Sequence, residues 1–477
     1  MVKRVAVIGA GASGAAAAAA LHAEDYFDII KVFERRDTAG GVWNFDPDPG
    51  HIPLKPGALP PTLDPAVSVP SKLPCTAPPL SQLRFDKTPV YDGLLTNVPD
   101  VAMCFTDFPF PYGPFVGSHV PKQYIQSYFS LHRTDALISY DTTVEDLSRL
   151  PGHRWRLALR KHDAARNVDE WWEEEFDAVI LANGHYGVPY IPHVSGLEAF
   201  IAKYPRRVEH SKAWRTTKAY KDERVLVIGN SASGYDITQH LLKSSDTVKP
   251  IYLSRRSKRG WDDGDPPDGL VYKPVIAEYK KDGTILFEDG TSLSNIDKII
   301  YCTGYKASFP FWNSSANGGH LFDYKNNRLI NSYQHVFFQD YPTLATIGFP
   351  VALTFRSFEY QAVAIARLWA GRNALPMPSI AEQKAWEQHR AQVTRKTGQR
   401  FHQVMWDSGE CTEWLRWFYE LAGLPTLEGH GRSPPVLDAK TRWAIDHVRR
   451  YPGPRSIEVE SEGGGIRVKH EDALWFL

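Results

Sequence analysis

Cysteine is scarce in this chain. Four residues, Cys75, Cys104, Cys302 and Cys411, are scattered through 477 positions, with no CxxC pair and no Cys/His cluster at zinc spacing. That rules out a disulfide framework, leaves no metal ligands in view, and fits a reducing compartment. Charge of one sign is lacking too: 55 Lys and Arg balance 55 Asp and Glu, so no basic excess is available to neutralise phosphates and no nucleic-acid partner is expected. No uninterrupted apolar run is long enough to span a bilayer, and the C-terminal GIRVKHEDALWFL is broken by charges. Met1 runs into a strand pattern within a few residues, leaving no room for a leader segment. The expectation is a cytoplasmic, soluble protein of two to three domains that works on small molecules, with a homo-oligomer left open.

What the chain does contain is one supersecondary unit written twice. VAVIG (5–9) is a short β-branched run of the kind buried in parallel sheets. GASGAAAAAALHAE follows, rich in alanine, the best helix former, and DIIKVFE is the next strand. The second copy begins at Arg224: VLVIG, then SASGYDITQHLLK as helix, then PIYLSRR as strand. Further strands are predicted in WRLALR (155–160), FDAVILA (176–182), TILFEDG (284–290) and IDKIIYCTGY (296–305). Residues 379–424 carry helix formers with aromatics at helical spacing, which reads as core. Between Asp46 and Pro89 proline accumulates, and the prediction there is neither a helix nor a central strand. Two readings stay open for that stretch: an ordered excursion over the surface or near a site entrance, or disorder.

Each copy opens its helix with glycines. Gly9, Gly11 and Gly14 leave bare backbone where a pyrophosphate can rest on a helix N-terminus, with Ala12 and Ser13 between them. Glu34 ends the following strand 20 positions after Gly14, placed to accept from a ribose 2′-hydroxyl, and Arg35 follows it. A carboxylate there repels a 2′-phosphate, so this site suits FAD or NAD. In the second copy Gly229 and Gly234 keep the turn and the close approach, while Asn230, Ser231 and Ser233 are small polar residues able to donate to phosphate. At the end of its next strand stand Arg255 and Arg256, and no acid. Guanidinium forks pair bidentately with a phosphate, so the second site should prefer NADP(H). Opposite 2′ preferences point to FAD plus NADPH, hence hydride transfer from nicotinamide to flavin. A solvated loop is the plainer reading of the two arginines.

At this point the chain resembles the flavin-containing monooxygenases, class B flavoprotein monooxygenases. The resemblance rests on the two glycine turns, on GGVW (40–43), LLTNVP (94–99) and FTDFPFP (105–111), on FDAVILANGHY (176–186) and IDKIIYCTGY as crossings between domains, and on TLATIGFP with FEYQAVAIAR near 343–367. It implies an α/β fold with two Rossmann-like dinucleotide-binding domains: a large FAD domain (1–203 and 301–477, the latter with a C-terminal helical region) and an inserted smaller NADPH domain (204–300). Gly41, Val42, Trp43, Thr96, Asn97, Val144, Thr303, Gly304 and His210 join the cofactor-binding candidates. The family's linker signature survives in YPRRVEHSKAW only at His210. That histidine is read as a structural hydrogen-bonding residue, with an acid or base role as alternative.

The activity the resemblance implies is an NADPH- and O2-dependent monooxygenase. Reduced flavin forms a C4a-hydroperoxide, held by bound NADP+ and by Asn97, that transfers one oxygen atom to a soft nucleophile such as amine nitrogen or thioether sulfur. Trp214 at the end of the linker is what the related Baeyer–Villiger enzymes show. Arg215 follows it, and Asp48 stands where those enzymes carry an aromatic residue, so ketone oxidation is the runner-up. A disulfide reductase would need a close cysteine pair, and a non-catalytic binding protein would not need both sites. Phe355, Arg356 and the Pro-rich stretch are expected to shape the approach to the flavin.

Overall fold

The computed structural model describes residues 1–259, 264–448 and 450–451, so the charged stretch 465–477 lies outside the described residues. Two parallel sheets dominate, and each begins from one of the repeated units. The first sheet has seven strands in the order Ser332–Tyr333, Phe337–Phe338, Tyr341–Thr346, Ala178–Leu181, Arg4–Ile8, Ile29–Phe33 and Ile138–Ser139. Its last five strands are parallel, with Val7 opposite both Ile180 and Val32. Val5, Ala6 and Val7 have no exposed surface, as a strand covered on both faces requires of its apolar residues.

The helix Ala12–Ala23 is buried along Ala15–Leu21 rather than amphipathic. Methyl side chains let it lie close to the sheet, to Phe355–Trp369 and to His119–Leu131 at once. Its last turn is tied to Phe355–Trp369 by an ion pair at 2.8 Å between Glu24 and Arg367, each 1% exposed.

The second sheet has five strands, all parallel, ordered Val208–His210, Lys298–Tyr301, Val225–Ile228, Ile251–Ser254 and Leu270–Lys273. The helix Ala232–Lys243 connects its third and fourth strands. Both glycine turns therefore sit at the carboxyl ends of central parallel strands, where open α/β sheets bind ligands. The two crossings meet as a small antiparallel pair, Val188–Pro189 with Tyr305–Lys306.

The Pro-rich stretch differs from the prediction in one respect. Pro60–Leu63 forms one helical turn, because proline at the first helical positions lacks only an N–H that would be unpaired there anyway. Cys75–Ala77 is an edge strand of the antiparallel sheet built from Thr142–Arg149, Trp155–Asp163 and Val168–Phe176. The rest is an ordered excursion pinned at both ends. Arg36 holds the Asp46 carboxylate at 2.6 and 3.1 Å, and Arg215 donates to the carbonyls of Asp46 and Thr88. The helices Ile380–Thr397 and Glu410–Ala422 occupy the expected segment, with Trp414 and Phe418 in the core.

Candidate functional site

A cavity of about 340 Å³ opens at the carboxyl end of the first sheet. Gly9, Gly11, Ala12 and Ser13 form one side of it, Glu34 and Arg35 another, and Gly41, Val42, Trp43 and Val144 complete the predicted residues that line it. Gly9 has φ +110°, and a Cβ there would fall 2.5 Å from the Ala182 carbonyl oxygen. Gly14 lies behind the wall, where a Cβ would meet the Gly9 carbonyl oxygen at 2.0 Å. The helix beginning at Ala12 has neither a side-chain cap nor an acid in its first turn. Its free N–H groups and positive dipole end therefore remain for an anion.

Glu34, 6% exposed, accepts from the Ala10 N–H at 2.8 Å and the Arg36 N–H at 3.0 Å. Those bonds hold the carboxylate in place, with lone pairs left for a hydroxyl donor. Arg35 donates to the Phe85 carbonyl at 2.8 Å and so joins the wall to the end of the Pro-rich stretch. Phe355 lines the apolar side, edge-on to Trp43 with centroids 6.4 Å apart. Beneath it the FTDFPFP stretch stacks on Tyr124, whose hydroxyl accepts from the Phe105 N–H at 2.7 Å. Arg356 turns away from the wall and donates to the Val101 carbonyl at 2.8 Å.

His185, also in the wall, has an Nδ1 with no hydrogen-bond partner, and burial pulls its pKa down to about 4. A bare glycine cradle, an uncapped helix N-terminus and an unpartnered ring nitrogen around one cavity fit a bound dinucleotide.

The second glycine turn lies outside this wall. Gly229 has φ +99°, and a Cβ on Gly234 would sit 1.8 Å from the Gly229 carbonyl oxygen, so the turn presses on its helix as the first one does. Ser231 is the N-terminal flanking residue of Ala232–Lys243 and makes no side-chain cap, and no acid stands in the first turn. Asn230 donates to the Ser257 carbonyl at 2.8 Å, Ser233 is half-buried, and Arg256 is exposed. Arg255 lays its guanidinium over the Tyr272 ring at 3.7 Å, at the end of the strand Ile251–Ser254.

Five other candidates, His210, Thr303, Gly304, Thr96 and Asn97, lie outside the cavity wall. His210 has no exposed surface; its Nε2 faces the Gly304 carbonyl at 3.0 Å and its Nδ1 accepts from the Lys212 N–H at 3.1 Å. This is the neutral tautomer with the proton on Nε2, and burial lowers its pKa to about 3. Thr303 donates its hydroxyl to the Tyr190 carbonyl. Thr96 pairs with Val116 through both N–H and hydroxyl, at 2.9 and 3.0 Å, and so sets the loop on which Asn97 is half-buried.

Three residues at this junction escaped sequence reasoning. Lys212 is 1% exposed, donates to the Gly187 carbonyl, and has its pKa lowered to about 7, chiefly by burial and then by Arg35. Arg36 and Arg215 brace the walls. None carries a local signal, because each is defined by carbonyls or carboxylates distant in sequence.

Comparison with known proteins agrees with this geometry. The flavin-binding monooxygenase-like family matches residues 83–273 and 267–408, and an NAD(P)-binding Rossmann-like domain matches residues 7–59. The chain is 30% identical to flavin-containing monooxygenase FMO GS-OX5 of Arabidopsis thaliana, over 93% of this chain and 92% of that protein. Among solved structures it is similar to S-allyl-L-cysteine S-oxygenase from Allium sativum, with TM-score 0.73, 24% identity and coverage of 94% and 92% of the two chains. A cyclohexanone monooxygenase shares the fold at TM-score 0.58 and 14% identity, over 88% and 97% of the two chains.

Proposed function

Because the chain belongs to the flavin-binding monooxygenase-like family, and is thus an oxidoreductase using FAD and NADPH, we propose that it inserts one oxygen atom into a soft nucleophile of a small molecule, a thioether sulfur or an amine nitrogen. The observation that carries this reading is the contrast between its two uncapped glycine turns, one followed by the fixed carboxylate of Glu34 and the other by the guanidinium of Arg255. Residues 1–203 and 301–477 are assigned to FAD and 204–300 to NADPH on that basis. Bound FAD, reduced by NADPH, supplies activated oxygen, one atom of O2 entering the product and the other leaving as water.

The residues of this chain have separable tasks. The Gly9–Gly14 turn and the N-terminus of Ala12–Ala23 take the pyrophosphate, and Glu34 takes the ribose. The apolar wall from Pro350 to Phe355 keeps the reacting end dry, which suppresses loss of the activated oxygen as hydrogen peroxide. Asn97 is assigned to hold the nicotinamide cofactor and the activated oxygen by donating and accepting at once. Thioethers come first for testing because the garlic enzyme of similar fold is an S-oxygenase.

The test is NADPH consumption and product mass with a panel of thioethers, amines and ketones. A sulfoxide or N-oxide supports the reading, and an ester or lactone from a ketone would replace it with Baeyer–Villiger chemistry. In Asn97→Ala, anaerobic flavin reduction by NADPH should stay within about twofold of the parent, while product yield falls by about 100-fold or more. Normal product yield from that variant would remove Asn97 from the mechanism.

A further inference from the structure

The end of the described chain carries no motif, yet it returns to both proposed reaction partners. Helix Ala439–His447 starts from Asp438, whose carboxylate accepts from the Thr441 N–H at 2.6 Å, and it packs on Asp100–Met103, just after Asn97. Beyond the helix, Arg450 donates to the Leu95 carbonyl at 2.9 Å. The same nitrogen stands 3.1 Å from the Asp236 carboxylate. Leu95 is two residues before Asn97, and Asp236 is two residues after Gly234, in the helix that opens at the second glycine turn.

Asp236 is 4% exposed and gathers several groups. It accepts from the Tyr91 hydroxyl at 2.6 Å and is hydrogen-bonded to Tyr451, whose ring meets Tyr235 edge-on at 5.2 Å. Without the guanidinium this buried carboxylate would lose its ion-pair partner, and a buried charge without its counter-ion is strongly unfavourable. On the other side, the Asn97 loop is held by Val116, Gly117 and Ser118, through Thr96, Leu95 and Leu94 in turn. That stretch meets the nucleotide helix through Tyr91, which donates to Asp236, and through Leu94, packed in the same apolar cluster as Ile237 and Leu241. Arg450 adds a tie at Leu95 itself, one guanidinium nitrogen serving a carbonyl and a carboxylate together, and the planar guanidinium holds that geometry more rigidly than an ammonium on a flexible stem.

We propose that Arg450 is a positioning residue for oxygenation, bridging Leu95 to Asp236 and thereby holding the Asn97 loop in register with the second glycine turn. The inference rests on the assignment of Asn97 made above. A displacement of about 1 Å at a reacting centre costs on the order of 100-fold, so loosening this bridge should divert activated oxygen to hydrogen peroxide without slowing hydride delivery in proportion.

The experiment uses the FAD-loaded full chain as parent, Arg450→Ala, Arg450→Lys and Asn97→Ala. Hydrogen exchange of the peptides covering 94–103 and 232–243 is followed together with hydrogen peroxide released per NADPH consumed in the presence of a thioether that the parent oxygenates. Arg450→Ala should exchange about tenfold faster in both peptides and release several-fold more peroxide, with flavin content and anaerobic reduction rate kept within about twofold. Arg450→Lys should recover part of the protection and less of the coupling. Unchanged exchange in 94–103, or restored exchange with no change in peroxide release, overturns the proposal. So does an equal loss of flavin, reduction and coupling, which marks general destabilisation. Should the parent oxygenate no thioether, amine or ketone, the functional reading fails and exchange alone judges the bridge: lost protection upholds it, and unchanged protection overturns it.

Discussion

Arg255 and Glu34 occupy equivalent strand ends and carry opposite charges, and under the proposed assignment these single side chains set which nucleotide each turn prefers. Arg255 is stacked on Tyr272 at 3.7 Å, which limits the rotamers it gives up on meeting a phosphate. A charge-assisted hydrogen bond contributes about 1.5–3 kcal/mol, so Arg255→Ala should raise the NADPH KM about 10- to 100-fold while flavin content stays that of the parent. Steady-state kinetics with NADPH and NADH check this: an unchanged preference for NADPH would place the 2′-phosphate elsewhere. His210 shows the reverse case, in which the sequence pattern draws attention to a residue whose ring nitrogens are both occupied by backbone groups, Gly304 and Lys212. With its proton on Nε2 and its pKa near 3, the ring is neutral at any pH where the protein works. Its geometry is that of a joint between the crossing strand and the linker.

Among the elements, helix Ala12–Ala23 carries a contradiction that packing resolves. An alanine-rich helix has almost no polar face, yet it ends in Glu24, a carboxylate 1% exposed. Arg367 answers it at 2.8 Å, Arg372 adds a second contact at 3.2 Å, and Arg367 also donates to the Leu424 and Arg432 carbonyls. One guanidinium thus locks the glycine-turn helix, the long helix Phe355–Trp369 and the C-terminal loops together. Removing one partner from a buried pair costs about 3–5 kcal/mol. Arg367→Ala should therefore lower the urea midpoint by the equivalent of that energy and release flavin on dilution. A loss below about 1 kcal/mol would show that the pair is dispensable. The Pro-rich stretch makes a similar point at lower energy. Its order comes from Arg36 and Arg215 reaching its two ends, and no composition rule could say that these arginines would be there to receive it.

For the molecule as a whole, acid sensitivity follows from its buried imidazoles. His185 and His210 are pushed down to about 4 and about 3, and His335 and His402 well below their ordinary value, in each case chiefly by burial. In the unfolded chain these groups take a proton near pH 6.5. Between that value and their native pKa the unfolded state binds protons that the folded state refuses, so stability falls as pH drops through this window and is fully present above it. One such histidine contributes a loss of about 1 kcal/mol between pH 6.5 and 5.5. Urea unfolding of the parent and of His210→Gln at both pH values should show a smaller pH-dependent loss in the variant by about that amount, whatever its stability at pH 7. An identical pH dependence would mean that the imidazole titrates in the native state. The four cysteines do not add a redox term to this picture, since each is a free thiol and Cys104, Cys302 and Cys411 are buried.

Local chemistry was enough to locate the repeated βαβ units, the glycine turns, Glu34, the arginines at 255 and 256, and the aromatic helices. A strand–turn–helix signal is written within about 30 consecutive residues, and its physics is that of neighbours in sequence. The family and its two cofactors follow from those stretches and the comparisons agree. Long-range pairing decided everything else. Arg4–Ile8, Ala178–Leu181 and Tyr341–Thr346 become neighbouring strands only in the folded sheet. Phe85 reaches Arg35, Lys212 reaches Gly187, and Arg450 reaches Leu95 and Asp236 across separations of 25 to 355 positions. Such contacts are specified by burial and by the need to satisfy each buried polar group once the core has formed. That requirement acts on the whole structure and leaves no pattern in any single stretch of chain.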